Sequence, residues 1–319
     1  MTTEQLKQAV RFADVTADEA GQRIDNYLLR ELRGVPRSYV YRVLRRGEVR
    51  VNGGRVRARY RIQAGDRIRI PPVRQLVRRD DTGAAVPSAP LPILYEDERL
   101  LVVDKPAGLA VHGGSGISRG VIEVLRAARP DAPYLELVHR LDRDTSGCLL
   151  IAKRRSELRT LHALLREGGM SKRYLLLVRG HLQGRERRVR LPLHKNQLAG
   201  GERMVRVSDA GKVSETRFRL VGPLPGASLL EAEPVTGRTH QIRVHAAEIG
   251  HPLAGDGKYG DAAFNARMRQ LGLRRLFLHA HSIGFSDPTS GREIHVTAPL
   301  ADELREVLDR LEAEAGRLS

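Results

Sequence analysis

The chain has 319 residues, 41% of them hydrophobic, and a formal charge of +17, enough to bury one large core plus a small module. Its single cysteine, Cys148, excludes an intrachain disulfide and fits a reducing cytoplasm. No apolar run approaches the roughly 18 to 20 residues that span a bilayer, and Met1 to Gln8 lacks the basic-then-apolar pattern of a secretory signal.

The charge is unevenly placed. Residues 1–80 hold 19 Lys or Arg against 9 Asp or Glu, a net of +10, and the other three quarters of the chain carry +7. Such a footprint points to a polyanion partner, because each phosphate neutralised releases condensed counterions. Arg outnumbers Lys 48 to 7. A GC-rich genome explains that ratio but not the clustering.

Residues 1–15 read as a frayed tail. From Gly21 to Arg33, the spacing of Ile24, Leu28 and Leu32 marks one helix face, ended by Gly34 and Pro36. A second helix is expected from about Ser38, as N-cap, to Gly47. Val40, Val43 and Leu44 point inward, and the other face carries Ser38, Arg42 and Arg45, with Arg46 beside them. Short strands follow at 48–51, 55–59 and 66–70, with a turn through Asn52-Gly53-Gly54. Pro71-Pro72 closes the unit. The stretch 79–91 is rich in linker residues without an apolar period, and a boundary is placed there.

Beyond it, strands are expected at 100–104, 135–138, 148–153, 174–180, 214–221 and 228–234, and helices at 121–128 and 156–167. Ile242, Ala246 and Ile249 share a helix face ended by Gly250 and Pro252. Leu300, Leu304, Val307, Leu308 and Leu311 define a final docking helix. Strands joined by turns as well as helices predict an α+β fold, a mixed and mostly antiparallel sheet with flanking helices.

The most informative string is His-Arg-Leu-Asp-Arg-Asp-Thr-Ser-Gly at 139–147, a polar connection between two strand-like runs. A carboxylate among cations is favoured as an anion, which suits Asp142 as a nucleophile or electrostatic stabiliser better than as a proton donor. The plain alternative is a charged turn whose Asp and Arg satisfy one another. Zinc is a poor fit for the histidines: His240 and His245 are five apart, without a Cys pair, and His279 and His281 lack a nearby third ligand.

That nine-residue string resembles the signature of the RluA family of RNA pseudouridine synthases. Three further segments resemble the family's motifs: Asp104-Lys105-Pro106-Ala107-Gly108 with Val111-His112, Ser171-Lys172-Arg173-Tyr174, and Arg238-Thr239-His240-Gln241-Ile242-Arg243. Residues 21–28 and 47–53 resemble an S-four type RNA-binding domain. The resemblance implies an S-four type domain at 16–80, a linker at 81–91 and a pseudouridine synthase catalytic domain at 92–319. It implies that Asp142 is the catalytic aspartate, that Arg243 pairs with it, and that Tyr174 stacks beside the target base. Arg140 and Arg238 are expected to bind RNA at the site, and Arg37, Arg42, Arg45 and Arg46 to bind it on the first domain. Val111 to Gly116 and Glu136 to Gly147 look most like the branch of the family that modifies bacterial large-subunit (23S) ribosomal RNA. The implied reaction isomerises uridine, so neither cofactor nor metal is expected, and the chain is expected to act as a cytoplasmic monomer. Whether Asp142 bonds to the ribose or removes a proton stays open. Two other classes are weighed: an assembly factor that binds ribosomal RNA without chemistry, and a base-excising hydrolase. The hydrolase would need paired carboxylates flanking a bond, and Asp144 follows Asp142 too closely for that.

Overall fold

A computed structural model describes residues 10–32, 35, 37–72, 90–113, 120–197 and 203–318. The chain divides into two compact units, Met1–Val86 and Pro87–Ser319. The linker expected at 81–91 lies outside the described residues up to 89. Leu91, at its end, is buried in the second unit's core.

The first unit runs β1 (Arg11–Asp14), α1 (Ile24–Glu31), α2 (Arg37–Arg46), β2 (Arg50–Val51), β3 (Gly54–Arg55) and β4 (Arg67–Ile70). Its four strands pair in the order β1-β4-β2-β3. Ile24, Leu28, Leu32, Val40, Val43 and Leu44 are all buried in one cluster with Ile62, Ile68 and Ile70, so the helix periodicities locate the core face correctly. Two details differ. Residues 11–14, expected in a frayed tail, form β1, because they pair from Arg11↔Ile70 to Asp14↔Arg67. A partner more than fifty residues away leaves no trace in local composition. The second helix begins at Arg37, so Ser38 lies in its first turn rather than capping it.

The second unit runs β5 (Ile93–Glu96), β6 (Leu100–Lys105), α3 (Val121–Ala128), β7 (Glu136–Leu137), β8 (Ser146–Ala152), α4 (Arg155–Glu167), β9 (Met170–Arg179), β10 (Glu186–Arg190), β11 (Leu193–Gln197), β12 (Arg203–Val207), β13 (Glu215–Leu224), β14 (Ala227–Pro234), α5 (Gln241–Glu248), α6 (Ala262–Gln270), β15 (Leu278–Ser286), β16 (Glu293–Thr297) and α7 (Asp302–Leu318). Ten strands form one mixed sheet with the path β10-β13-β14-β9-β15-β8-β6-β5, β7 pairing with β8 and β16 with β15; β11 and β12 form a separate hairpin. Among the described residues every strand pairing is antiparallel except β15 with β8.

That parallel contact is short, His279↔Ser146 and Ala280↔Gly147, and it joins the two halves of the sheet. Gly147 permits it. Its φ is +102°, and a Cβ there would stand 2.3 Å from the Ala280 carbonyl oxygen. Only glycine accepts both conditions. On one face, Leu101, Leu149, Leu176, Leu230 and Ile242 belong to the largest core cluster. Leu304, Val307 and Leu311 dock α7 against Phe264, Met268 and Phe277.

Candidate active site

The connection from β7 to β8 carries Asp142, and buried polar contacts fix its path. Lys105, with no exposed surface, donates to the carbonyls of Pro106 and Leu109 at 2.8 Å and of Arg143 at 2.9 Å. Burial pushes Lys105 down to about 7, while three carbonyl acceptors favour the ammonium, which alone has three protons to give. Leu150 N–H donates to His139 Nε2 at 3.2 Å, and Thr145 N–H closes the turn on the Asp142 carbonyl at 3.2 Å. Ser146, the first residue of β8, lies 2.9 Å from His279 Nδ1 and accepts from Arg275 Nη1 at 3.0 Å.

Arg243 comes from the first turn of α5. The turn before that helix is knitted by Gln241, whose Oε1 accepts from the Thr236 hydroxyl at 2.7 Å and the Arg238 N–H at 3.0 Å. Its Nε2 donates to the Glu215 carbonyl at 2.8 Å. Arg243 grips Asp256 through two bonds of 2.7 Å, Nε to Oδ2 and Nη2 to Oδ1. Its third nitrogen, Nη1, lies 3.6 Å from Asp142 Oδ2. Burial works against the Arg243 charge, yet Asp256 raises its pKa above the ordinary arginine value. Burial likewise opposes the Asp256 carboxylate, and Arg243 with the N–H groups of Lys258 and Tyr259 draws it below the usual range. The fork-to-fork pair therefore presents Arg243 in one orientation.

Asp142, Tyr174, Arg243, Arg140 and Arg238 all line one cavity of about 360 Å³, within the size range of small-ligand sites. Tyr174 rises from β9, and burial, then the Asp142 charge, pushes its hydroxyl above the ordinary tyrosine value. Lys172, two residues earlier on the same strand face, lines the cavity too, and burial lowers its pKa. Arg140 and Arg238 are exposed on the rim. His240 also faces the cavity, its Nε2 3.9 Å from Asp142 Oδ2.

The remaining candidates belong to the first unit, where Arg42, Arg45 and Arg46 are exposed on α2. The Arg42 guanidinium lies 4.8 Å from the Tyr39 ring centroid. Arg45 borders a cleft with Tyr41, Leu44, Arg55 and Arg57. The side chain of Arg37 lies outside the described residues. Of the other histidines, His245 is clasped between the hydroxyls of Ser214 and Thr216 at 3.0 and 2.9 Å, a structural tie.

Comparison with known proteins now decides the family. Residues 99–248 match the model of the RNA pseudouridylate synthases, and residues 22–68 match that of the S4 domain. Over 310 residues the chain is 56% identical to the ribosomal large subunit pseudouridine synthase C of Pasteurella multocida, covering 96% of this chain and 95% of that protein. The chain belongs to the RNA pseudouridylate synthase family. Another member, the protein of the same name from Haemophilus ducreyi, is 54% identical over 98% of this chain and all of its own length. Among solved structures, human RNA pseudouridylate synthase domain containing 4 superposes with a TM-score of 0.58 at 26% identity, covering 69% of this chain and 93% of that one. Within this pseudouridylate synthase, Asp256 and Tyr259 escaped sequence reasoning, and His240 was weighed only as a metal ligand and as part of a motif. Asp256 and Tyr259 sit in Gly-Asp-Gly-Lys-Tyr-Gly at 255–260, a run that lacks apolar period and any obvious partner for its carboxylate. The signal that could have exposed Asp256 was the need of a buried arginine for a bidentate anion.

Proposed function

We propose that this pseudouridine synthase acts on uridines of large-subunit ribosomal RNA, as the names of its close relatives state for those proteins. The reaction breaks the N1 glycosidic bond, turns the uracil and rejoins the ribose through C5, so no atom is gained or lost. A uracil inside folded RNA is out of reach, and the nucleotide must be extruded at a cost of roughly a few kcal/mol. The observation that carries the assignment is one open-mouthed cavity lined by a carboxylate, a fixed arginine and a buried tyrosine.

In this reading the Asp142 carboxylate meets the ribose, and Arg243 restrains it without competing for it, because its two short bonds go to Asp256. Tyr174 enters as a neutral phenol, since burial and Asp142 both oppose its ionisation, and its ring packs the detached uracil. Arg140 and Arg238 stand on the rim, where guanidinium groups stack on bases and fork onto phosphates. The arginines of α2 hold RNA by its backbone.

Tritium release from C5-labelled uridine in transcribed large-subunit RNA tests the reading. Label should appear in water while RNA mass is otherwise unchanged. Free uracil in solution would indicate hydrolysis instead, and absence of release would leave a binding protein.

A further inference from the structure

Tyr259 does not line the cavity, but it is tied to a residue that does. The Val205 backbone N–H donates to the Tyr259 hydroxyl oxygen at 2.9 Å, and that oxygen lies 2.9 Å from His240 Nδ1. Among the described residues the hydroxyl has no other hydrogen-bond partner. A phenol has one proton to give. Val205 is itself a donor, so the arrangement that leaves no phenol proton unpaired sends it to His240, whose Nδ1 is then bare. Burial, with the Arg243 and Lys258 charges, keeps His240 below the ordinary histidine range against the pull of Asp142 and Asp256. A neutral ring with a bare Nδ1 carries its hydrogen on Nε2, and Nε2 is the atom 3.9 Å from Asp142 Oδ2. Pairing every proton in this way assigns the hydrogen to Nε2.

The ring is also held in place. It meets Tyr259 edge-on, with centroids 5.6 Å apart. Its backbone is left-handed, φ +53° and ψ +17°, a conformation non-glycine residues hold where surroundings over-determine it, often at functional sites.

A gap of 3.9 Å is too long for a direct hydrogen bond, yet one oxygen can stand about 2.9 Å from both atoms. That oxygen would accept from Nε2–H and donate to the carboxylate. Carbonyl and phosphodiester oxygens only accept; a hydroxyl does both. Within an RNA strand the 3′ and 5′ oxygens are esterified, which leaves the 2′-hydroxyl as the sugar's one free hydroxyl. We propose that His240, a neutral Nε2–H donor positioned by Tyr259, holds the 2′-hydroxyl of the target uridine against Asp142. The Arg243 and His240 contacts of 3.6 and 3.9 Å both fall on Oδ2, and the chemistry is assigned to Oδ1. The proposal rests on the reading that Asp142 faces the ribose.

Two measurements test it. On full-length ¹⁵N-labelled protein at neutral pH, long-range nitrogen–hydrogen couplings should show a bare Nδ1 and a protonated Nε2 for His240, assigned by the signals lost in His240→Gln. In Tyr259→Phe, which keeps the ring, the tautomers should mix. A protonated Nδ1 in the wild type overturns the proposal. The second measurement uses an RNA fragment whose target uridine has been assigned by mapping, synthesised with ribose or 2′-deoxyribose at that one position. Wild type should bind the ribose form about tenfold more tightly, the worth of one hydrogen bond in a site whose polar groups would otherwise stay unpaired. In His240→Leu the ratio should fall towards one, with Tyr259→Phe in between. An equal ratio in wild type and His240→Leu overturns the assignment. Should Asp142→Asn still form pseudouridine, the reading of Asp142 fails, while the ribose ratio still reports separately on His240.

Discussion

On α2, Arg42, Arg45 and Arg46 stand in water with loose contacts: Arg42 lies over Tyr39 at 4.8 Å, and Arg46 comes within 3.7 Å of Glu48. In the second unit Arg243 is 9% exposed and locked onto Asp256 by two bonds of 2.7 Å. The same side chain does two kinds of work. An exposed guanidinium attracts phosphate over a screened distance and adapts to whatever shape arrives. A buried one cannot move without stranding a charge, so it defines where Asp142 can stand.

Four experiments would break or sharpen that contrast. Asp142→Asn is nearly isosteric and should keep RNA binding while turnover falls on the order of 10⁴-fold or more, as when an enzyme loses a nucleophile or base. Retained turnover would reduce the Arg243 lock to a structural element. Asp256→Ala strands the buried Arg243 cation, and urea melts should show a loss of roughly 3–5 kcal/mol; a loss under about 1 kcal/mol, the level of an exposed pair, would mean the two classes of arginine do not differ.

The third experiment is a pH titration of stability. Burial lowers His279 from 6.5 to about 4, and its Nδ1 takes the Ser146 hydroxyl at 2.9 Å, which a protonated ring cannot do. Between those values the unfolded chain holds a proton that the folded one refuses. Stability therefore falls as pH drops from 6.5 to about 4, by at most about 1.4 kcal/mol per unit from this group. His279→Asn keeps an acceptor near Nδ1 and should flatten that limb; an unchanged limb would move the effect elsewhere. The smallest effect belongs to the surface. Arg45→Gln should weaken RNA binding a few-fold and reduce the slope of log affinity against log salt by about 0.7 to 0.9. A salt slope identical to wild type would leave the α2 charge without a role in binding.

Local pattern made much of this molecule legible. Ile24, Leu28 and Leu32 set the first core face, and Leu304, Val307 and Leu311 docked the last helix. The motif residues Asp142, Tyr174 and Arg243 converge on one cavity although 101 positions of sequence separate the first from the last. What stayed hidden depended on distant partners. β10 reads Glu-Arg-Arg-Val-Arg and looks like a charged loop; Arg188 and Arg190 are instead satisfied across the ladder by Glu215, at 2.6 and 2.7 Å. β9 begins at Met170 rather than Tyr174, because its polar start pairs with β15 through backbone groups that any sequence supplies. Strand 135–138 shrinks to Glu136–Leu137, since the chain must leave the sheet early to form the Asp142 loop. Asp256 was invisible because its charge partner, Arg243, lies on a helix that local pattern does not connect to it.

Gly147 bears on how this enzyme can be remade. The last letter of the 139–147 string does not line the cavity; a methyl group there would strike the Ala280 carbonyl and pry the sheet apart along its central seam. Libraries that seek new base or sugar preferences should therefore randomise the loop's earlier letters and leave this one alone. A variant that fails at 147 says nothing about chemistry, only that the masonry behind the aspartate has shifted.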